Sequence, residues 1–373
     1  MSVDADVIVV GAGIAGASAA AFMVGAAKVV MLEAESQPGY HTTGRSAATF
    51  IENYGAPSVR MMTRASAAFL RTPPAGFCDG AIVSARGLLY LARESEVAAL
   101  DTELAVANGM ARLNREQALT LVPALVNGPT HVAGHEPDAQ DIDVNQLHQG
   151  YLRMFTRGGG TLVCDARVAS IRRSADVWTV QAGSETYTAP TLVNAAGAWG
   201  DELASLAGVA ALGLQPLRRS IAVVELDAQT PLDANWPLLA GVSGDWYCKP
   251  ESGKLWVSPA DETPSPPCDA YPDDFDLAVG VERMQQATGF MVKRQHSSWA
   301  GLRTFAPDRQ LVNGFDPDVV GFYWLVGQGG YGIQTSAAMG LACARSVLRD
   351  GSISFAGCGP IDAAVLGPER LRV

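Results

Sequence analysis

The period of the apolar positions changes several times along the chain, and each change marks a unit. Val7–Val10 and Val29–Leu32 are short, almost wholly apolar runs, as expected of strands buried on both faces. Between them the chain turns through Gly11, Gly13 and Gly16 and continues in small, helix-compatible residues. That order reads as strand, tight turn, helix, strand. Residues 57–71 have helical spacing, with Met61, Ala65, Ala68 and Phe69 near one face and Pro73 and Pro74 as the stop. A second unit opens near Gly80, where GLLYLA predicts a short strand. Helices are expected over residues 96–108 and 116–122, the latter entered through an Asn114/Gln117 capping box. Leu147, Tyr151, Met154 and Phe155 recur at helical spacing, which places Tyr151 in a core, and Gly158, Gly159 and Gly160 end that helix.

From residue 161 to 193 the period falls to two. TLVCDARVASI, VWTVQAG and ETYTA read as strands and TLVNAAG as a buried one, and a later group adds IAVVEL, WYCKP and KLWVSPA. The acidic, proline-rich residues 261–274 between them and the next helix predict a loop, a candidate active-site lid. The last patterned stretch is FYWLVGQGGYGIQTSAAMGLACARSVLRDG. It reads as a strand, a turn through Gly327, Gly329, Gly330 and Gly332, and a helix closed by Gly351.

The opening unit carries a specific chemistry. Gly11 lets the chain turn, Gly13 lets backbone N–H groups approach a pyrophosphate, and Gly16 lets helix and strand touch. The helix start adds unpaired donors and partial positive charge, and Glu33 ends the second strand where an adenosine ribose is expected. A signal or membrane reading of residues 7–32 fails, because acids precede the run and glycines and Lys28 interrupt it. The polar stretch after Glu33 is expected to wrap along a cofactor, with Arg45 meeting a phosphate and Thr42, Thr43 and Ser46 donating hydroxyls. Small residues in NAAGAW permit a third close approach. Glycine-rich approaches at residues 11–16, 194–200 and 327–332 suit an extended FAD better than NAD. The turn at residues 330–333 is the candidate for the N1 side of its ring.

Composition narrows the partners. The 373 residues suggest about two domains. A net charge of -11 opposes nucleic acid and anionic membrane surfaces as partners. The six cysteines, Cys78, Cys164, Cys248, Cys268, Cys343 and Cys358, include no C-x-x-C pair and read as thiols of a reducing, cytoplasmic compartment. The five histidines form no metal-ligating group, so no metal is expected.

The combination GAGIAG, GYHTTGRSAA, DIDVNQLHQGYLR, LVNAAGAW, LQPLRRS, SWAGLR and GQGGYGIQTSAAMG resembles the D-amino-acid oxidase superfamily of FAD-dependent amine oxidoreductases, and within it the bacterial D-arginine dehydrogenase type. The resemblance implies an α/β architecture. A Rossmann-like FAD domain would be assembled from residues 1–79, 141–214 and 296–373, and a mixed-sheet substrate domain from 80–140 and 215–295. It also implies oxidation of a small-molecule D-amino acid to an imino acid, which hydrolyses to a 2-oxo acid and ammonia. FAD is expected to be noncovalent, since no cysteine lies between Arg303 and Gly332.

Carried over by position, Arg219, Arg303 and Tyr247 match the residues that hold the substrate carboxylate. Tyr54 matches an active-site tyrosine and Gly330 a carbonyl for the amine. Paired guanidinium groups suit a carboxylate because they offer charge-assisted, often bidentate bonds. The implied cofactor contacts are Gly11, Gly13, Ala15, Gly16, Glu33 and Ala34; then Thr42, Thr43, Gly44, Arg45, Ser46, Ala47, Ala48 and Thr49; then Val168, Ala196, Gly197 and Trp199; and last Gly329, Gly330, Tyr331, Gly332, Ile333 and Gln334.

Departures from the D-arginine dehydrogenase pattern define the side-chain pocket. Its substrate-binding glutamate falls at Leu88, its threonine at Ile51 and its histidine at Thr49. With Leu238 and Ala240 alongside, Leu88 and Ile51 predict an apolar side chain, because a buried cation without an anion is costly. Glu52 is the reservation, since an inward carboxylate would readmit a basic substrate. The alternatives are a sarcosine or glycine oxidase-like enzyme, a flavin-binding redox module without turnover and an NAD-dependent dehydrogenase. The electron acceptor, whether quinone, oxygen or another, is left open.

Overall fold

The computed structural model describes residues 2–349 and 363–372, so Gly351 and Cys358 lie outside the described residues. Its opening strands, Val7–Val10 and Val29–Leu32, are buried throughout and pair in parallel in a six-stranded sheet. The order is Thr161–Val163, Val29–Leu32, Val7–Val10, Thr191–Asn194, Phe322–Val326, Val312–Phe315, with only the last antiparallel. Helices Ile14–Met23, Pro57–Arg71, Val144–Arg157 and Ser336–Leu348 pack on one face of this sheet. A four-stranded sheet and the helix Gly200–Leu206 pack on the other. The run TLVCDARVASI is two strands in two sheets, broken at Asp165 with φ +53°. There the backbone N–H groups of Asp165 and Ala166 bond to the carbonyls of Glu35 and Glu33, tying the crossing to the end of the second strand.

Helix Pro57–Arg71 has the expected bounds, but its buried face is rotated from the expected one: Ala68 is exposed, while Thr63 and Ser66 are buried. The reason is polar. Thr63 Oγ1 accepts from Gln334 Nε2 at 2.9 Å, and Ser66 Oγ accepts the Ala338 N–H at 3.0 Å, so hydroxyls satisfy the start of the last helix. The Asn114/Gln117 capping box forms as expected, on a helix that runs Arg115–Leu121. Tyr151 is wholly buried and its hydroxyl meets Ser336 Oγ at 3.2 Å.

The second large sheet has nine strands, built around the long antiparallel pair Gln215–Leu226 and Val292–Phe305. That pairing carries the sheet past residue 296, where the sequence suggested a boundary. Its register sorts side chains by face. Leu89, Leu91, Ala222, Val224, Leu239, Cys248, Leu255 and Val257 build a core against helix Asp274–Thr288. The alternate residues Leu88, Tyr90, Leu238, Ala240, Tyr247, Arg219 and Arg303 all face cavities. Helix formation, two-sided burial and this alternation thus place one face of a sheet over the glycine-rich end of the other.

Asp316 locks the strand pair Val312–Phe315 and Phe322–Val326. Its buried carboxylate accepts from Trp324 Nε1 at 2.9 Å, from Arg372 and from the Asp318 and Val319 N–H groups. Burial works against the charged form, but these donors win and hold the carboxyl below its ordinary value. A depressed carboxyl stabilises the fold above its unfolded pKa of about 4 and loses that contribution as pH falls through the folded value. Asp316→Asn should therefore lower Tm at neutral pH, costing about 2 kcal/mol, and flatten the acid limb of Tm against pH below about pH 4. A variant with the wild-type Tm at neutral pH would show the cluster to be idle.

Candidate active site

Two cavities meet where the sheets face each other. The first is an elongated cleft beginning at the Gly11–Gly13 turn. Gly11 has φ +103°, and a Cβ there would stand 2.4 Å from the Ala195 carbonyl oxygen. A Cβ on Gly16 would stand 1.9 Å from the Gly11 carbonyl oxygen, so this glycine packs the helix against the turn and does not line the cleft. Glu33 is braced from both sides: Oε2 accepts the Ala12 N–H at 2.8 Å and Oε1 the Glu35 N–H at 3.0 Å. Thr43 Oγ1 accepts the Ile14 N–H at 3.0 Å, capping the helix from the loop that follows Glu33.

Most expected cofactor contacts line this cleft: Gly11, Gly13, Ala15, Glu33, Ala34, Thr42, Thr43, Arg45, Ser46, Ala47, Val168, Ala196, Gly197, Trp199, Gly329, Gly330, Gly332 and Ile333. Ala48, Thr49 and Tyr331 line the neighbouring cavity instead. Gly44 and Gln334 lie off both. Gln334 is buried as a brace, its Oε1 accepting the Ile51 N–H at 3.1 Å. Arg45 borders the cleft with its guanidinium engaged elsewhere. Nη1 donates to the carbonyls of Ala270 and Ala300 at 2.9 and 3.0 Å, and Nη2 pairs with Asp269. It therefore fastens the 261–274 loop, and no phosphate contact is needed to satisfy it. After the glycine-rich turn, with turns continuing through residues 330–335, the helix expected there begins at Ser336. Gly329, Gly330 and Gly332 still bring main chain to the cleft, and Gly197, with φ +55°, leaves open space where a Cβ would stand.

The second cavity shares Ser46, Ala47, Arg219, Tyr247, Arg303 and Gly330 with the first. Four of the five expected catalytic residues thus lie at the junction, and the fifth, Tyr54, bonds to one of them. Arg303 Nη1 is 3.3 Å from Tyr54 Oη, and its guanidinium lies against Gly330, where a Cβ would be 2.7 Å from Nη1. Burial pushes the Tyr54 phenol up, yet the Arg303 guanidinium, then that of Arg219, outweigh it and hold the phenol below its ordinary value. Burial of the half-buried Tyr331 pushes its phenol up to about 12. Arg219 projects from the same face opposite Gly301, and its Nε donates to the Asp261 carbonyl at 2.7 Å.

Ile51, Leu88, Leu238 and Ala240 come together as one apolar cluster with Ala139, ringed by Tyr54, Tyr90 and Tyr247. Register explains it: Leu88 lies beside Leu238, and Ala240 opposite Tyr247, in adjacent strands. Glu52 faces Arg71 at 3.3 Å and lines neither cavity. The sequence reading missed an acid beside this cluster. Glu136, the cross-strand partner of Leu88, is buried, with Oε1 accepting the Glu52 N–H at 3.2 Å and Oε2 without a partner. Burial raises its pKa, favouring the neutral acid. Only strand register reveals that neighbour and Tyr90, while Glu262 reaches the second cavity through the contacts that pin Asp261 to Ser220 and Arg219.

A cleft with a helix start, a braced acid at the end of the second strand and three glycine approaches fits a dinucleotide. The family described as FAD dependent oxidoreductase (DAO) matches residues 6–346. FAD-dependent oxidoreductase domain-containing protein 1 of Mus musculus is 25% identical, across 92% of this chain and 81% of that protein. The Bos taurus form is 31% identical over 42% of this chain, a match spanning only 35% of its own length. Among solved structures, L-proline dehydrogenase from P. horikoshii superposes with a TM-score of 0.82 at 16% identity, covering 100% of this chain and 99% of that one. Glycine oxidase from Geobacillus kaustophilus gives 0.80 at 20% identity, covering 98% of both chains. Both likenesses establish the shared fold. Among the described residues no helix is long and apolar enough to cross a membrane.

Proposed function

The chain belongs to the FAD dependent oxidoreductase (DAO) family, and from that premise we propose that it oxidises the α-carbon of D-amino acids with apolar side chains. The observation that carries this reading is the junction of the cavities, where Arg219, Arg303 and Tyr247 converge beside Gly330. Arg219 and Arg303 hold the carboxylate, Tyr247 adds a third donor, and the Gly330 carbonyl takes the amine. Held at both ends, the substrate presents its α-hydrogen to the cleft, which removes most of the orientational cost of reaction. FAD, bound noncovalently, supplies the two-electron acceptor. The imino acid released then hydrolyses in water to a 2-oxo acid and ammonia. The amine must be neutral before the α-hydrogen leaves, so activity rises with pH as it deprotonates.

The D enantiomer and the D-arginine dehydrogenase-type relationship are supported by the combined motifs, and the apolar preference by the cluster at Ile51, Leu88, Leu238 and Ala240. D-Leu, D-Met and D-Phe should exceed D-Arg in kcat/KM by at least about tenfold, the effect of a few buried methylenes and an unpaired cation. Steady-state kinetics across these substrates checks this, and a D-Arg preference overturns the pocket assignment. The glycine oxidase likeness favours a second reading, oxidation of small or N-substituted amino acids. Turnover of glycine or sarcosine above D-Leu would select it.

A further inference from the structure

The carboxylate site already has a carboxylate of the chain beside it. Glu262 Oε1 is 3.3 Å from Arg219 Nη2, and the Arg219 side chain is only 10% exposed. Both Glu262 oxygens also lie near Arg309 Nη2, at 2.9 and 3.0 Å. Glu262 therefore spans two arginines, one at the junction of the cavities and one at the half-exposed rim of the larger. Its charge is felt at Tyr54 and Tyr331, where it acts to raise each phenol.

The preceding residue fixes this arrangement. Asp261 accepts the Ser220 N–H and hydroxyl at 2.7 and 2.8 Å through its carboxylate, and Arg219 Nε through its carbonyl. The backbone is thus pinned to the strand that carries Arg219, with the Glu262 side chain delivered to the outer nitrogen of the guanidinium. A ligand carboxylate arriving at Nη2 meets a like charge at hydrogen-bond range. It must displace that charge or bind against it.

We propose that Glu262 is a resident competitor for the carboxylate subsite: it holds Arg219 when no ligand is bound and passes wholly to Arg309 when an anionic ligand enters. The inference rests on the reading of Arg219 as a carboxylate anchor. Glu262 then sets how tightly the site takes carboxylates, and Arg309 sets how cheaply Glu262 leaves.

Benzoate titrated into the flavin-loaded protein, followed by the visible spectrum, tests this without turnover. Glu262→Gln should lower the benzoate Kd about fivefold, the scale of a partly exposed ion pair. Arg309→Gln, which removes the alternative partner, should raise it about threefold. The double variant should behave as Glu262→Gln. With an amino acid that is turned over, Glu262→Gln should change KM more than kcat. Unchanged or weaker benzoate binding in Glu262→Gln, or binding in Arg309→Gln no weaker than in the wild type, would overturn the proposal. A role in holding the loop would move both variants in the same direction. Arg219→Leu separates the two readings: an unchanged benzoate Kd there removes the anchor itself, whereas a large loss combined with a silent Glu262→Gln removes only the competitor.

Discussion

Replacing Arg303 by lysine should lower kcat/KM for an amino-acid substrate about a hundred- to a thousandfold while leaving FAD content unchanged. The guanidinium is half-buried, bonds to Tyr54 and lies against Gly330. An ammonium offers one point charge where a planar fork is required, and it cannot touch Tyr54 and a carboxylate in the same geometry. The Tyr54 phenol should respond as well. With the main source of its lowering changed, its pKa should rise, and ultraviolet titration would show the shift. Kinetics within a factor of three of the wild type would mean that Arg303 is a structural cation and that the carboxylate lies elsewhere.

Gly11→Ala should abolish FAD retention and destabilise the fold by about 3 kcal/mol or more. Two causes add. The backbone is at φ +103°, outside the range of L side chains, and the new methyl would meet the Ala195 carbonyl oxygen at 2.4 Å. Ala195 follows the strand Thr191–Asn194, so the displacement spreads into the neighbouring glycine approach at Gly197. A colourless, less stable protein is the expected preparation, and differential scanning fluorimetry with flavin quantification checks it. Retention of stoichiometric FAD would contradict the role assigned to this turn.

The opening unit was legible because its constraints are local. Gly16 meets its steric limit a few residues away, at the Gly11 carbonyl, and a strand buried on both faces announces itself as an uninterrupted apolar run. The apolar pocket was legible residue by residue through resemblance, and the structure brings Ile51, Leu88, Leu238 and Ala240 into one cluster. Contacts between distant segments were not legible. Arg45 is spent on Asp269, Ala270 and Ala300, more than two hundred residues away, so a sequence that shows a cation in a cofactor loop hides the groups that claim it. The rotated face of helix Pro57–Arg71 has the same origin. Hydropathy counts Thr63 and Ser66 as polar, but Gln334 and the Ala338 N–H give them reason to be inside. Glu136 became a neighbour of the pocket only through its cross-strand register with Leu88.

The central claim is that Arg219 and Arg303 pin a D-amino acid by its acid end above a tightly held FAD. Mixing the purified yellow protein anaerobically with D-leucine and, separately, with L-leucine tests it most directly. Rapid bleaching of the flavin absorbance by D-leucine, with L-leucine at least about a hundredfold slower, is the result this account predicts. Equal bleaching, faster bleaching by L-leucine, or a flavin spectrum indifferent to both would contradict it.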